Sequence, residues 1–249
     1  MYSYIYDYFL NHKKFEPILA KIETRLTDLG LNGKFCKQGL MQNIKDATQN
    51  EIRRGVKSII AVGNDNTLHN IINSINDHNI VVGLIPINFE SNNVAKFLGI
   101  PFAEQACNTI AARRIEEIDL IKANSSLFLS SAQITSLGTI LEINNNYSIE
   151  SKENGLIKII NLNYDNEKIS STEFKPNDGK VDILIKINKN KVFSREMVNN
   201  TSISLKELTI NNLNNESLLL DNFNKIKTPV KIEVIPRALK IIVGKERFF

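Results

Sequence analysis

The 249-residue sequence has no tryptophan, two cysteines, three histidines, three methionines and six prolines. Each scarcity closes off a class of protein. Cys36 and Cys107 lie far apart without metal-ligand spacing, so neither a disulfide framework nor a zinc site is expected, and both read as small buried residues of a reducing cytoplasm. His12, His69 and His78 form no cluster in sequence, which argues against a histidine metal centre; His69 reads as exposed on its helix. No apolar run approaches the roughly twenty residues that a membrane-spanning helix needs, and the N-terminus lacks a basic-then-apolar leader pattern. A dense basic block is missing as well. The 31 basic and 27 acidic residues, net +4, are spread along the chain, so nucleic-acid binding is not implied. That mild charge suits a phosphorylated ligand or an anionic membrane, and equally a plain solvated surface.

What is abundant is asparagine, at 33 residues, and isoleucine, at 36. The skew matches AT-rich coding, so asparagine can stand where glycine or aspartate would otherwise be found. With 42% hydrophobic and 23% charged residues, the composition is that of an ordinary globular protein of one large or two small domains.

The stretch from Ser58 to Asn73 organises the first half. Ser58 to Val62 is a short β-branched run, suited to a buried strand, and Gly63, Asn64, Asp65 and Asn66 are residue types that tolerate left-handed backbone in a tight turn. A helix is then expected from Thr67, with Leu68, Ile71, Ile72 and Ile75 on its buried face. The first N–H groups of such a helix point at the turn and attract phosphate, although many strand-to-helix turns bind nothing.

Around this stretch the pattern alternates. Strands are expected at Tyr2 to Tyr6, Leu31 to Cys36 and Ile80 to Ile85, and helices over Phe15 to Leu29, Leu40 to Arg54 and Phe102 to Arg114, with a weaker one in Asn88 to Leu98. Such alternation predicts a doubly wound α/β domain with a parallel sheet and a ligand site beyond the carboxyl ends of its strands. Ile115 to Ala123 runs extended. From Leu127 the texture becomes that of short strands between Asn, Gly and Asp turns: Leu127 to Leu129, Thr139 to Ile143, Tyr147 to Glu150, Leu156 to Leu162, Val181 to Ile187, Ser202 to Ile210, Ser217 to Leu220, Val230 to Val234 and Leu239 to Val243. The expected organisation is an α/β nucleotide-binding domain over residues 1–123 and an all-β sandwich over residues 124–249, its last residues free to return to the first domain.

The order Val62-Gly63-Asn64-Asp65-Asn66-Thr67-Leu68, Leu84-Ile85-Pro86, Asn92, Ala95, Leu98-Gly99-Ile100-Pro101 and Ile118-Asp119-Leu120 resembles the diacylglycerol kinase catalytic family, which includes bacterial lipid kinases and sphingosine kinases and is distantly related to NAD kinases. Pro176 to Asp182 and Thr228 to Leu239 continue the resemblance. It implies ATP-dependent phosphoryl transfer to a lipid hydroxyl with magnesium, in a cleft between the two domains. Under it Gly63, Asn64, Asn66 and Thr67 cradle the nucleotide phosphates, Asn92 joins the nucleotide site, Asp65 stands near metal or nucleophile, and Asp178 matches a metal-associated aspartate. Asp221 falls on the family's catalytic Asp-Gly-Glu, and Asp119 reads as a pin at the domain hinge. The implied partners are a nucleotide and a lipid at the membrane surface, reached by a cytoplasmic protein peripheral to it; a homodimer stays open.

Several positions depart from the pattern. Gly-Gly-Asp-Gly-Thr has become Gly63-Asn64-Asp65-Asn66-Thr67, and the acidic residue expected three positions later is Asn70. The family's Gly-Thr-x-Asn-Asp segment after Pro86 is here Asn88-Phe89-Glu90-Ser91-Asn92-Asn93, with neither its glycine nor its threonine and with the negative charge of Glu90, and Asp7-Tyr8-Phe9-Leu10 replaces an Asn-Pro-Gly loop. Phe223 stands where the family has its glutamate base, and phenylalanine cannot accept a proton. Three readings follow: a lipid kinase with a divergent site, an inactive member that binds a nucleotide or lipid, and a structural protein whose turn is plugged by Asn64 and Asn66.

Overall fold

The structure, a computed structural model, describes residues 1–39, 43–75, 79–87, 92–143, 146–163, 175–187 and 199–249. The expectations for Asn88 to Ser91, Glu90 included, for His78 and for the start of the helix at Leu40 lie outside these residues. The chain forms two compact units, Met1–Ile118 with Ala238–Phe249, and Asp119–Arg237.

The first unit is built from β1 (Tyr2–Tyr6), α1 (Glu16–Asp28), β2 (Gly33–Lys37), α2 (Ile44–Arg53), β3 (Ser58–Gly63), α3 (Asp65–Ile72), β4 (Val81–Pro86), α4 (Asn93–Phe97) and α5 (Glu104–Ala112). Its strands are parallel in the order β2-β1-β3-β4, with Tyr4 paired to Phe35 on one side and Ile60 on the other. The end of the chain's last strand lies beside β4, Lys240 opposite Val81 and Ile241 opposite Val82. Every residue of β3 and β4 is buried, as central strands covered on both faces must be. Right-handed crossovers in this order put α1 on one face and α2 and α3 on the other; α1 packs against α5, and α2 against α3. The strand order reverses between β1 and β3. In an open parallel sheet that reversal opens the ligand crevice, and here it lies beyond Tyr6 and Gly63.

The second unit is entered through β5 (Ile115–Ala123), which turns back as β6 (Ser126–Phe128). There follow β7 (Ser131–Thr135), β8 (Thr139–Ile143), β9 (Tyr147–Glu150), β10 (Gly155–Ile160), β11 (Val181–Ile187), β12 (Asn199–Leu205), β13 (Glu207–Asn212), β14 (Ser217–Leu220), β15 (Asn224–Lys227) and β16 (Val230–Ile242). One antiparallel sheet runs β12-β11-β10-β7-β14-β15, and a second set runs β16-β13-β8-β9. Residues from both, among them Phe128, Leu141, Ile159, Ile183, Ile210, Leu218 and Val230, form one apolar core, the interior of a sandwich.

Four element expectations change. Ser202 to Ile210 is two strands, because the chain leaves β11 at Leu205 and joins β16 from Glu207; the charged pair Lys206-Glu207 and the shift of the apolar alternation from Leu205 to Leu208 fall at the switch. Val230–Ile242 is one strand through Pro236 and Arg237; its partner changes from β13 to β4 while its backbone stays largely extended, although Arg237 has φ 52°. Strands β7 and β15 carry too few apolar residues for the alternation to register. Helix α3 starts at Asp65, two residues before Thr67, so Asp65 and Asn66 are helical, not part of the turn. Among single residues, Cys107 is buried as expected, Cys36 on the sheet edge is only half-buried, and His69 is buried, its ring beside the Asn73 amide. Among the described residues no helix is long and apolar enough to cross a membrane.

Candidate functional site

The switch point is occupied by the chain's own hydrogen bonds. Asn64 is the N-cap of α3, with extended backbone at φ −134°, and its side chain accepts the Thr67 N–H at 3.1 Å while Thr67 Oγ1 accepts the Asn64 N–H at 3.1 Å. This reciprocal box satisfies donors that a phosphate would otherwise meet. The Thr67 hydroxyl, fully buried, donates to Asp7 Oδ2 at 2.6 Å, and the Asp7 N–H donates to the Val62 carbonyl at 3.0 Å. A carboxylate at the end of β1 is thereby tied to the first turn of the helix that follows β3. Gly63 has a local reason as well: a Cβ there would stand 2.2 Å from Thr67 Oγ1, so glycine is required by the inward turn of Thr67 whether or not a ligand approaches.

Neither asparagine of the turn uses left-handed backbone, as sequence reasoning had allowed. Asn66 lies along the helix, where its Oδ1 accepts the Asn70 amide at 3.4 Å. Asp65, at the first helical position where a negative charge is favoured, reaches across to α4 and accepts the Val94 N–H at 3.1 Å. Asn92 is fully buried at the N-cap of α4, but makes no side-chain cap, so Asp65 provides that helix with its acceptor. Gly63, Asn64, Asp65, Thr67 and Asn92 therefore lie close together in the first unit, with Asp7 among them. Asp7 was missed as a site residue because it belongs to no recognisable motif; the only signal was the absent Asn-Pro-Gly loop.

In the second unit Asp178 is exposed and accepts the Lys180 N–H at 2.9 Å in a turn closed by Gly179 at φ 73°. Asp119 is fully buried; its two oxygens accept the N–H groups of Gly179 and Arg237, both at 2.7 Å. Burial raises its carboxyl above the usual aspartate value, with the Asp178 charge adding to the rise and the two backbone hydrogen bonds opposing it. Asp221 adopts φ 48° and accepts four hydrogen bonds, from the N–H groups of Leu129, Ser130 and Ser131 and from the Ser130 hydroxyl. The buried Asn161 amide bridges the carbonyls of Leu129 and Asp119, a connection that nothing in the sequence announced. Among the described residues no three His, Cys, Asp or Glu side chains gather where they could hold a metal ion.

Comparison with known families gives the strand–turn–helix its context. Residues 5–123 match the diacylglycerol kinase catalytic domain. The match agrees with the family that the motifs of the chain resemble. A search of curated proteins finds no match to the sequence. Among solved structures, a diacylglycerol kinase from Bacillus anthracis is similar over 98% of this chain and 97% of that one, at 18% identity and TM-score 0.79. An NAD kinase from Archaeoglobus fulgidus, solved in complex with ATP, is similar over 99% and 95%, at 11% identity and TM-score 0.61. At these identities the likeness establishes the shared fold, that of diacylglycerol and NAD kinases. The family match implies nucleotide binding, and the diacylglycerol kinase segment contains Asp7, the Gly63 turn and Asn92.

Proposed function

We propose that this chain is a diacylglycerol kinase family member that acts as a nucleotide-binding module and does not transfer phosphate. The observation that carries the reading is the Thr67–Asp7 hydrogen bond. A kinase of this fold has to bring a triphosphate to the switch point, where catalysis consists of positioning and charge neutralisation. Here the hydroxyl and the Thr67 N–H are engaged internally, and the Asp7 carboxylate stands in the crevice, where it repels an approaching phosphate. Among the described residues no three ligating side chains gather and Asp178 accepts its own backbone N–H, so magnesium would depend on one or two carboxylates and on the nucleotide's own phosphates. Asp221 is held by three N–H groups and a hydroxyl, and its neighbour Phe223 supplies no base.

A second reading, phosphoryl transfer from ATP to a lipid hydroxyl by this divergent site, is favoured by Asp65, which stands in an intact strand–turn–helix at the family's position. Calorimetric titration with ATP, with and without magnesium, separates the two when paired with an assay for labelled phosphate transferred to diacylglycerol in mixed micelles. The binding-module reading expects heat from ATP that is the same with and without magnesium, and no transferred label; no heat in either titration overturns it. Magnesium-dependent binding that disappears in Asp65→Ala, or any label in lipid, establishes the second reading.

A further inference from the structure

One end of the second unit presents apolar side chains where the chemistry of turns would place polar ones. Three turns meet there: residues 136–138 between β7 and β8, 151–154 between β9 and β10, and 213–216 between β13 and β14. They are bound to one another. The Gly138 N–H donates to the Ser151 carbonyl at 3.1 Å, the Leu213 N–H to the Gly138 carbonyl at 2.9 Å, and the Ser136 hydroxyl to the Glu153 carbonyl at 2.6 Å. Asn212, 2% exposed, ties the set from within: its amide donates to the Leu137 carbonyl and the Thr139 hydroxyl, and its Oδ1 accepts the N–H groups of Asn214 and Glu216. Gly138 at φ 72° and Asn215 at φ 55° take left-handed positions, as their residue types allow. A tip pinned by buried hydrogen bonds in this way holds its outer residues in fixed places.

Two of those outer residues are leucines, Leu137 at 39% exposure and Leu213 at 64%, on neighbouring turns. Leucine brings nothing to a tight turn, where glycine, asparagine, aspartate, serine and proline are favoured, and asparagine does fill positions 211, 212, 214 and 215. A single exposed leucine is ordinary, but a pair on adjoining pinned turns calls for a partner. The size of the patch decides which kind. Together the two expose about as much surface as one free leucine. A standard protein interface needs roughly 800 Å² from each side and draws its affinity from tryptophan, tyrosine and arginine more than from leucine, so neither a second copy nor another protein is well served. Shallow insertion into a lipid surface requires no shape complementarity and gains from each apolar group taken out of water. Charge selects the lipid. Around the tip Lys152 stands against Glu150, Glu153 and Glu216, all exposed, an acidic excess that favours a zwitterionic bilayer over an anionic one.

We propose that this tip of the second unit is a lipid-docking wedge, with Leu137 and Leu213 entering the interfacial region of a zwitterionic bilayer. Because the chain has no tryptophan, a single indole can report on the tip alone. Leu213→Trp places it in the wedge, and Tyr147→Trp places it at the start of β9, where Tyr147 is 72% exposed; four extended residues, about 13 Å, separate that position from the turn at Ser151. Each full-length variant is mixed with phosphatidylcholine vesicles whose acyl chains are brominated, with unbrominated lipid as the reference. The emission of Leu213→Trp shifts to the blue and is quenched, while that of Tyr147→Trp keeps its position and intensity. Adding phosphatidylglycerol makes the quenching no stronger. In vesicle sedimentation Leu213→Asn lowers the partition coefficient of the otherwise native chain about tenfold and Leu137→Asn about fourfold, in proportion to the surface each leucine exposes. Both are exposed turn residues, and circular dichroism checks that each variant is folded. An unshifted and unquenched Leu213→Trp, equal quenching of Tyr147→Trp, quenching only with the anionic lipid, or undiminished partition of the leucine variants overturns the proposal. None of these outcomes depends on nucleotide binding at the Gly63 turn.

Discussion

Resemblance to the family proposes catalytic roles for both Asp65 and Asp221, yet their surroundings differ. Asp221 sits in left-handed backbone, closes over β7 and accepts three N–H groups and a hydroxyl. Asp65 sits in ordinary helical backbone at the mouth of the sheet and accepts the Val94 N–H. A carboxylate that gathers four donors is a structural clamp, because moving it toward a substrate would leave several buried groups unsatisfied. A carboxylate that caps a short neighbouring helix can be released at much smaller cost. Resemblance of sequence assigned both residues to chemistry; the hydrogen-bond inventory separates them.

The largest effect expected is therefore at Asp221. Asp221→Ala strands buried N–H groups and a hydroxyl and should destabilise the protein by about 3–5 kcal/mol, more than one hydrogen bond's worth. Asp65→Ala removes one acceptor and a favourable helix-end charge and should cost about 1 kcal/mol. Urea denaturation of both variants measures the gap, and equal losses would erase the distinction drawn between the two aspartates.

The Gly63 turn can be tested by a double-mutant cycle. Gly63→Ala places a methyl group against Thr67 Oγ1 and should cost about 1–3 kcal/mol, the usual range for overpacking. Thr67→Ala alone removes the box and the bond to Asp7, at about 1–2 kcal/mol. In the double variant the 2.2 Å contact is gone and only the tight 3.0 Å approach to the Cβ of residue 67 is left, so its loss should fall short of the sum. Additive losses would mean that Gly63 is needed for something other than room for Thr67.

Much of the fold was legible because periodicity is a property of each segment on its own. The all-buried strands β3 and β4, the apolar face of α3 and the turn-rich second half all declare themselves locally. What could not be read depended on partners distant in sequence. The division at Lys206 reflects a change of sheet, and the continuity of β16 through Pro236 reflects a change of neighbour from β13 to β4. The same holds for the site. Gly63, Asn64, Asp65 and Thr67 could be singled out from their spacing, but Thr67 meets Asp7 across 60 residues and Asp221 meets Ser130 across 91, and no local pattern encodes either contact. Motifs locate a turn; they do not say whether its polar groups are already engaged.

A subtler comparison concerns Asn64 itself, the residue that replaces a family glycine. If capping keeps asparagine there, Asn64→Ala should lose about 1 kcal/mol, whereas Asn64→Gly should lose only a few tenths, because glycine is itself a tolerated N-cap. Thermal unfolding of the two variants resolves the difference if both are measured against the same reference. The glycine variant also restores the family's residue without touching Asp7. Should it gain magnesium-dependent ATP binding, the asparagine side chain was the obstacle at the switch point. Should it stay inert until Asp7→Asn is added, the carboxylate tied to Thr67 was the obstacle, and the loss of phosphate binding lies in the first strand's end rather than in the turn that carries the motif.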